Sequence, residues 1–219
     1  MSSQHDSASA RSGAGLREVK KQETRQHISD QATRLFLRQG FDTTTIAEIA
    51  DAARVSKKTV TNYFARKEDL ALDHQDAFVA ALASSVAARR PGESALGALR
   101  RAFSKALAAH DPVSGFTGPE FARMVADSAT LTACVRGLHD RREEALAEAL
   151  AAAEDLPADD IVIRTAAGLL GTVHRLLFRR IQQLTLAGLP AQEIEATVAP
   201  EAARAFDLLE PSIGTLGTA

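Results

Sequence analysis

The chain has 219 residues, one cysteine (Cys134) and no tryptophan. A lone thiol cannot close an internal disulfide, and no Cys or His stands at zinc-ligand spacing. The expectation is a reducing, cytoplasmic setting with no metal. Aromatic residues are only 5% of the chain. Ala and Leu are abundant instead, which favours helix over strand. Apolar runs are broken by charge before they reach bilayer length, so no transmembrane helix and no membrane partner are expected. Residues 1–15 lack the apolar run of a secretory signal and read as a disordered arm rich in Ser, Ala and Gly. Also missing are Gly-x-Ser-x-Gly, a Walker loop and His-Glu-x-x-His. Gly13-Ala14-Gly15 has no strand before it, so it is no dinucleotide fingerprint. Neither a cofactor nor an enzyme is expected.

What is present is a chain 45% hydrophobic, enough for a sizeable core in one or two domains. Its net charge of −2 hides an asymmetry. Residues 1–70 carry 12 Lys/Arg against 9 Asp/Glu, and residues 71–219 carry 14 against 19. A basic head on an acidic body suits a protein that touches a polyanion at one end, although surface charge also segregates by chance.

Apolar residues recur at helical spacing almost throughout. A first helix is predicted over 16–39, with the stripe Ile28, Ala32, Leu35 and Phe36, stopped by Gly40. Thr45 and Glu48 form a capping box for a short second helix. Ser56 caps a third helix from Lys57 to about Phe64, with Val55 and Val60 at staple spacing. A longer helix is predicted over 67–90, opened by Lys67-Glu68-Asp69 and stopped by Pro91-Gly92. It would be shared between two domains as a stiff lever. Five more helices are expected over 94–110, 117–127, 129–154, 158–187 and 191–209, separated by Gly and Pro breaks. Residues 211–219 read as a frayed tail.

Two short helices around a tight turn, the second with polar residues at its start, are the parts of a helix-turn-helix. That second helix offers Lys57, Lys58, Thr59, Thr61, Asn62 and Tyr63 around Val60. From Arg54 to Lys67 there are five basic residues and no acidic one. Spacing alone is equally compatible with an ordinary solvated corner of a helical protein. The run TTTIAEIADAARVSKKTVTNYFARKEDL, Thr43 to Leu70, resembles the DNA-binding domain of the tetracycline-repressor (TetR) family. The matching features are Thr-Ile-x-x-Ile-Ala, Val-Ser before the recognition helix, Tyr-Phe at its end, and Lys-Glu-x-Leu. Upstream, Ala32, Leu35, Phe36, Gly40 and Phe41 fit the family's first helix and corner.

The resemblance implies an all-α fold: a three-helix helix-turn-helix DNA-binding domain over 16–72, and a helical ligand-binding and dimerisation bundle over 73–210. It implies that Thr44 or Thr45, Tyr63 and Lys67 position phosphates, while Lys57, Lys58, Thr59, Thr61 and Asn62 face the major groove. Four positions depart from the family. Arg54 stands where a turn Gly is common, Thr61 where an aromatic is common, and Ala65-Arg66 replaces Pro-Ser, removing a hydroxyl cap.

The implied partners are double-stranded DNA with a palindromic operator, a second copy of the chain, and a small hydrophobic ligand that releases the repressor. Helix 158–187 is apolar on more than one face, and with 191–209 it is the expected dimer contact. Ile194, Val198, Ala202, Ala205, Phe206 and Leu209 would be the second helix's contribution, and Gly168 and Gly171 would permit close approach. Candidate pocket residues are Phe103, Leu107, Phe116, Phe121, Met124, Leu131, Cys134, Leu138, Val173 and Leu177, with His110, Arg123, His139 and His174 as polar candidates. The other classes left open are a helical small-molecule-binding enzyme or carrier, and a DNA-binding regulator without a small-molecule ligand.

Overall fold

The structure, a computed structural model, describes residues 6–218, and side chains from Glu18 onward. Among these residues there are helices and turns and no strand. The chain divides into two compact units, Met1–Asp73 and His74–Ala219.

The first unit holds α1 (Asp6–Gln39), α2 (Ile46–Ala52), α3 (Lys57–Tyr63) and α4 (Lys67–Ala71). Its core takes Ile28, Ala32, Leu35 and Phe36 from α1, which are the predicted stripe. Ile49, Val60, Phe64 and Leu70 come from the elements that follow. Phe41 meets Phe36 with ring centroids 5.0 Å apart. Gly40 ends α1 with φ +90°, a conformation cheap only for glycine. Residues 6–15, expected as part of a disordered arm, continue α1. Residues 1–5 of that arm lie outside the described residues.

The turn between α2 and α3 is a Schellman end with an unusual occupant. Arg54 N–H bonds Asp51 O at 3.1 Å and Val55 N–H bonds Ala50 O at 2.9 Å. Arg54 takes φ +54°, which strains a residue bearing a Cβ. Arg54→Gly is therefore expected to stabilise this unit by about 0.5–1 kcal/mol, the relief of strain exceeding the added freedom of the unfolded chain. Urea unfolding followed by tyrosine fluorescence checks it, because the only tyrosine, Tyr63, lies in this unit. A midpoint that falls would mean that the Arg54 side chain contributes more than its backbone costs.

The expected helix over 67–90 is two helices. α4 stops at Leu72 (φ −113°, ψ 45°), and α5 (Gln75–Ala87) starts after His74. No Gly or Pro marks this break. Beside it Asp73 pairs with the Arg25 guanidinium from α1.

The second unit packs α5, α6 (Ala95–Ala108), a 3-10 turn (Pro112–Ser114), α7 (Pro119–Asp127), α8 (Ala129–Glu154), α9 (Ile161–Leu186), α10 (Ala191–Asp207) and α11 (Glu210–Ile213). Leu96, Leu99, Leu146, Leu150, Ile163 and Leu170 are almost wholly enclosed at its centre. By length and composition α9 is able to cross a bilayer, against the sequence expectation. One of its faces is instead a core face of the bundle: Ile163, Ala166, Leu170, Val173, Leu177 and Ile181 are buried.

Three expectations for this unit are corrected. Gly168 and Gly171 face α8, where a Cβ on Gly171 would lie 3.0 Å from Glu143 Oε2, so their small size serves packing inside the unit. Ile194, Val198, Ala202, Phe206 and Leu209 belong to the unit's own core, with Ala205 packed against it, so α10 spends that face internally. The tail is not frayed. Ala95 N–H bonds Leu216 O at 2.9 Å and Arg89 Nε bonds Gly217 O at 2.9 Å. Gly217 N–H reaches Glu154, and Ile213 and Leu216 pack on the core.

Candidate nucleic-acid interface and sensing cavity

Local chemistry fixes the two short helices. Thr45 N–H bonds Glu48 Oε2 at 2.8 Å, and Glu48 N–H bonds Thr45 Oγ1 at 3.3 Å, closing the predicted capping box. The Thr45 N–H, joined by the Thr45 hydroxyl at 2.8 Å from the same oxygen, holds the Glu48 carboxyl below its usual range. Ser56 Oγ accepts Thr59 N–H at 2.9 Å, which starts α3. Val60 is fully enclosed and pins α3 to the core. Its opposite side leaves Lys57, Lys58, Thr61 and Asn62 exposed, with Thr59 and Tyr63 half-buried. The Thr61 hydroxyl is already directed at Lys58 O, 3.1 Å away. Before α4 no side chain caps the helix, and Asp69 within it accepts Arg66 N–H at 3.0 Å.

Two residues expected at phosphates do other work. Thr44 is buried, and its hydroxyl donates to Gly40 O at 2.7 Å, so its side chain has no surface to offer DNA. Thr45, the alternative, is exposed. Lys67 Nζ donates to Phe41 O at 2.9 Å, Asp42 O at 3.3 Å and Thr44 O at 3.0 Å. It also lies 4.3 Å from the Phe41 ring centroid. Three carbonyls take all three ammonium protons, so Lys67 ties the corner before α2 to the start of α4. Arg25, which the sequence did not single out, makes a second clasp. It donates to Tyr63 O at 3.0 Å, pairs with Asp73 and covers the Phe64 ring at 4.3 Å.

In the second unit a cavity of about 220 Å³ lies among α5, α6, the 3-10 turn, α8 and α9. Its wall includes Leu82, Ala102, Phe103 and Val113 together with Arg142 and His174. Of the residues predicted to line a pocket, Phe103 and His174 do so. Leu107, Val173 and Leu177 are core beside it, and Phe116 packs against that core. Phe121, Met124, Leu131, Cys134 and Leu138 sit on α7 and the first half of α8 and are not in the wall. His139 is buried next to Phe78 and Phe178, at centroid distances of 5.1 and 5.2 Å. His110 pairs with Glu195 at 2.9 Å, and Arg123 is exposed.

Burial governs the ionisation here. It pulls His174 down to about 3, aided by the charge of Arg142 and by His139. It pulls His139 down to about 4, aided by Arg142, Arg175 and Arg179. Both rings are neutral at pH 7. Arg142, pulled down to about 10 by burial alone, stays charged. Its guanidinium lies 4.4 Å from the Phe78 ring centroid. Among the described residues no cluster of His, Cys, Asp or Glu suits a metal.

The family profile described as "Bacterial regulatory proteins, tetR family" matches residues 28–73. The chain is 33% identical over 167 residues to the HTH-type transcriptional regulator TcmR of Streptomyces glaucescens, covering 73% of this chain and 74% of the relative. It is 51% identical over 49 residues to the HTH-type transcriptional regulator AcrR of Shigella flexneri, covering 22% of this chain and 23% of the relative. The fold matches NalD of Pseudomonas aeruginosa, the secondary repressor of the MexAB-OprM multidrug efflux pump. The TM-score is 0.54 at 19% identity, covering 89% of this chain and 98% of that chain. The chain therefore belongs to the TetR family and is a DNA-binding transcriptional regulator of the helix-turn-helix type.

Proposed function

We propose that this regulator is a cytoplasmic homodimeric repressor that holds a palindromic operator and leaves it when a small, mostly apolar molecule fills the cavity of the second unit. The observation that carries the proposal is that cavity. One wall is α5, through Ala81, Leu82 and Ser85, and α5 follows directly in the chain on the DNA-binding unit. A ligand that binds one setting of α5 more tightly shifts the population of DNA-competent molecules, by no more than that difference in affinity. Support for a dimer comes from α9. Val162, Leu169 and Leu176 recur every seventh residue and remain exposed while the helix's other side is core. A sustained apolar seam of this kind suits a second helix, and two recognition helices match a two-fold site.

Lys57, Lys58, Thr59, Thr61, Asn62 and Tyr63 are the proposed DNA contacts on α3, with Thr45 at the start of α2. Lys58→Ala is expected to weaken operator binding about tenfold, a loss of about 1–2 kcal/mol, while the protein remains a folded dimer. Fluorescence anisotropy with a labelled operator measures this, and unchanged affinity removes Lys58 from the contact surface. The operator comes from mixing purified protein with sheared genomic DNA of its source at moderate salt and sequencing what is retained. A few inverted repeats are expected. Background-level recovery throughout would sink the repressor proposal for the ligand-free protein, since non-specific phosphate binding is weak under those conditions.

A further inference from the structure

The cavity wall contains five polar side chains, and three of them are committed to backbone nearby. Ser85 Oγ donates to Ala81 O at 2.7 Å, Ser114 Oγ donates to Asp111 O at 2.7 Å, and Asp111 Oδ1 accepts Val113 N–H at 2.8 Å. The other two are Arg142 and His174, each about 5% exposed. Among the described residues Arg142 Nε and His174 Nε2 have no hydrogen-bond partner. Unpaired buried polar atoms are costly, and a buried cation without a counter-charge is costlier still. Among the described residues no carboxylate lies within ion-pair distance of Arg142. Burial is the sole influence on its ionisation, so Asp111 in the same wall does not compensate it. The nearby charges that bear on His139 are also positive: Arg142, Arg175 and Arg179. Among the described residues the guanidinium's favourable partner is the Phe78 ring.

Resting on the sensing role proposed above, we infer that the ligand is a compact organic carboxylate, its carboxylate held by the side chains of Arg142 and His174 in the wall and its apolar body filling the space toward Leu82, Phe103 and Val113. One carboxylate charge neutralises one guanidinium. Its two oxygens can accept from the guanidinium and from the neutral His174 ring together. A dianionic phosphate would leave one charge unmatched in a wall with a single cation. At about 220 Å³ the space lies below the range of roughly 300–1,000 Å³ usual for drug-sized ligands, so the body must be small.

The test uses matched pairs: benzoate and benzamide, 2-naphthoate and 2-naphthamide, octanoate and octanamide. Each is titrated calorimetrically at pH 7.5 into the full-length protein and into Arg142→Met. Arg142→Gln provides the same comparison should the Met variant fail to fold by circular dichroism. At least one acid is expected to bind about tenfold or more tightly than its amide, as for a hydrogen bond to a charged group. That preference should vanish in the variants. An acid and amide that bind equally well overturn the carboxylate assignment and leave the sensing role standing. A preference that survives loss of Arg142 overturns its part in recognition. Failure of all six compounds to bind counts against the carboxylate and the sensing role together.

Discussion

Lys67→Met is expected to destabilise the Met1–Asp73 unit by about 2–3 kcal/mol and to weaken DNA binding without changing its salt dependence. The ammonium is the shared donor for Phe41 O, Asp42 O and Thr44 O, within 2.9 to 3.3 Å of each. Methionine preserves the stem and removes every proton. The carbonyls turn to water, because the corner is partly exposed, so the loss is smaller than the sum of three charge-assisted bonds. The cation over the Phe41 ring goes as well. A phosphate contact would behave differently. Its removal would reduce the slope of log affinity against log salt by about 0.9 and leave stability nearly unchanged. Tyr63 fluorescence in urea and an operator titration at several salt concentrations separate the two roles. A reduced slope with unaltered stability would return Lys67 to the DNA surface.

Lys67 also shows how far a sequence can be read. Signals that act within four residues were legible. Thr45 and Glu48 cap α2, Ser56 caps α3, Gly40 ends α1, and α8 spans the expected 129–154. Contacts between distant segments were not. Thr44 and Lys67 have the polarity of DNA contacts, and only the packing of α1, α2 and α4 turns one inward and ties the other to carbonyls. Arg25 reaches Tyr63 and Asp73 across 38 and 48 residues. The break at Leu72 lies beside that pairing and has no Gly or Pro to announce it.

The polar wall of the cavity is hidden in the sequence for a related reason. Asp140-Arg141-Arg142-Glu143-Glu144 looks like a solvated helix face, yet α8 turns Arg142 inward while Asp140, Arg141 and Glu144 remain exposed. Apolar periodicity offers Phe121, Met124 and Cys134 as pocket candidates beside Phe103, because it marks buried faces without saying where packing leaves space. An unpaired charge in a wall is the better indicator of a binding site, and it emerges only once neighbours across helices are known.

Lowering the pH from 7.5 to 5.0 is expected to cost the His74–Ala219 unit up to about 4 kcal/mol, about 2 from each of His139 and His174. Their folded values, about 4 and about 3, lie below the ordinary 6.5. The unfolded chain therefore takes up protons as pH falls through 6.5 while the folded unit does not. The stability these groups confer is complete above pH 6.5 and is lost progressively towards pH 3–4. Carboxylates act lower on the scale. Glu93, held at about 2 by Arg101 and by the backbone at Arg90, loses its contribution only as pH falls from 4.5. The interval between 7.5 and 5.0 thus isolates the histidines. Urea unfolding followed by circular dichroism at the two pH values should show the loss, and His174→Leu should remove about half of it. Because Arg142 depresses both rings, Arg142→Met should flatten the dependence further, even though it removes no titrating group in that range. A pH response that persists unchanged in both variants would place its source outside the cavity wall and its neighbour His139.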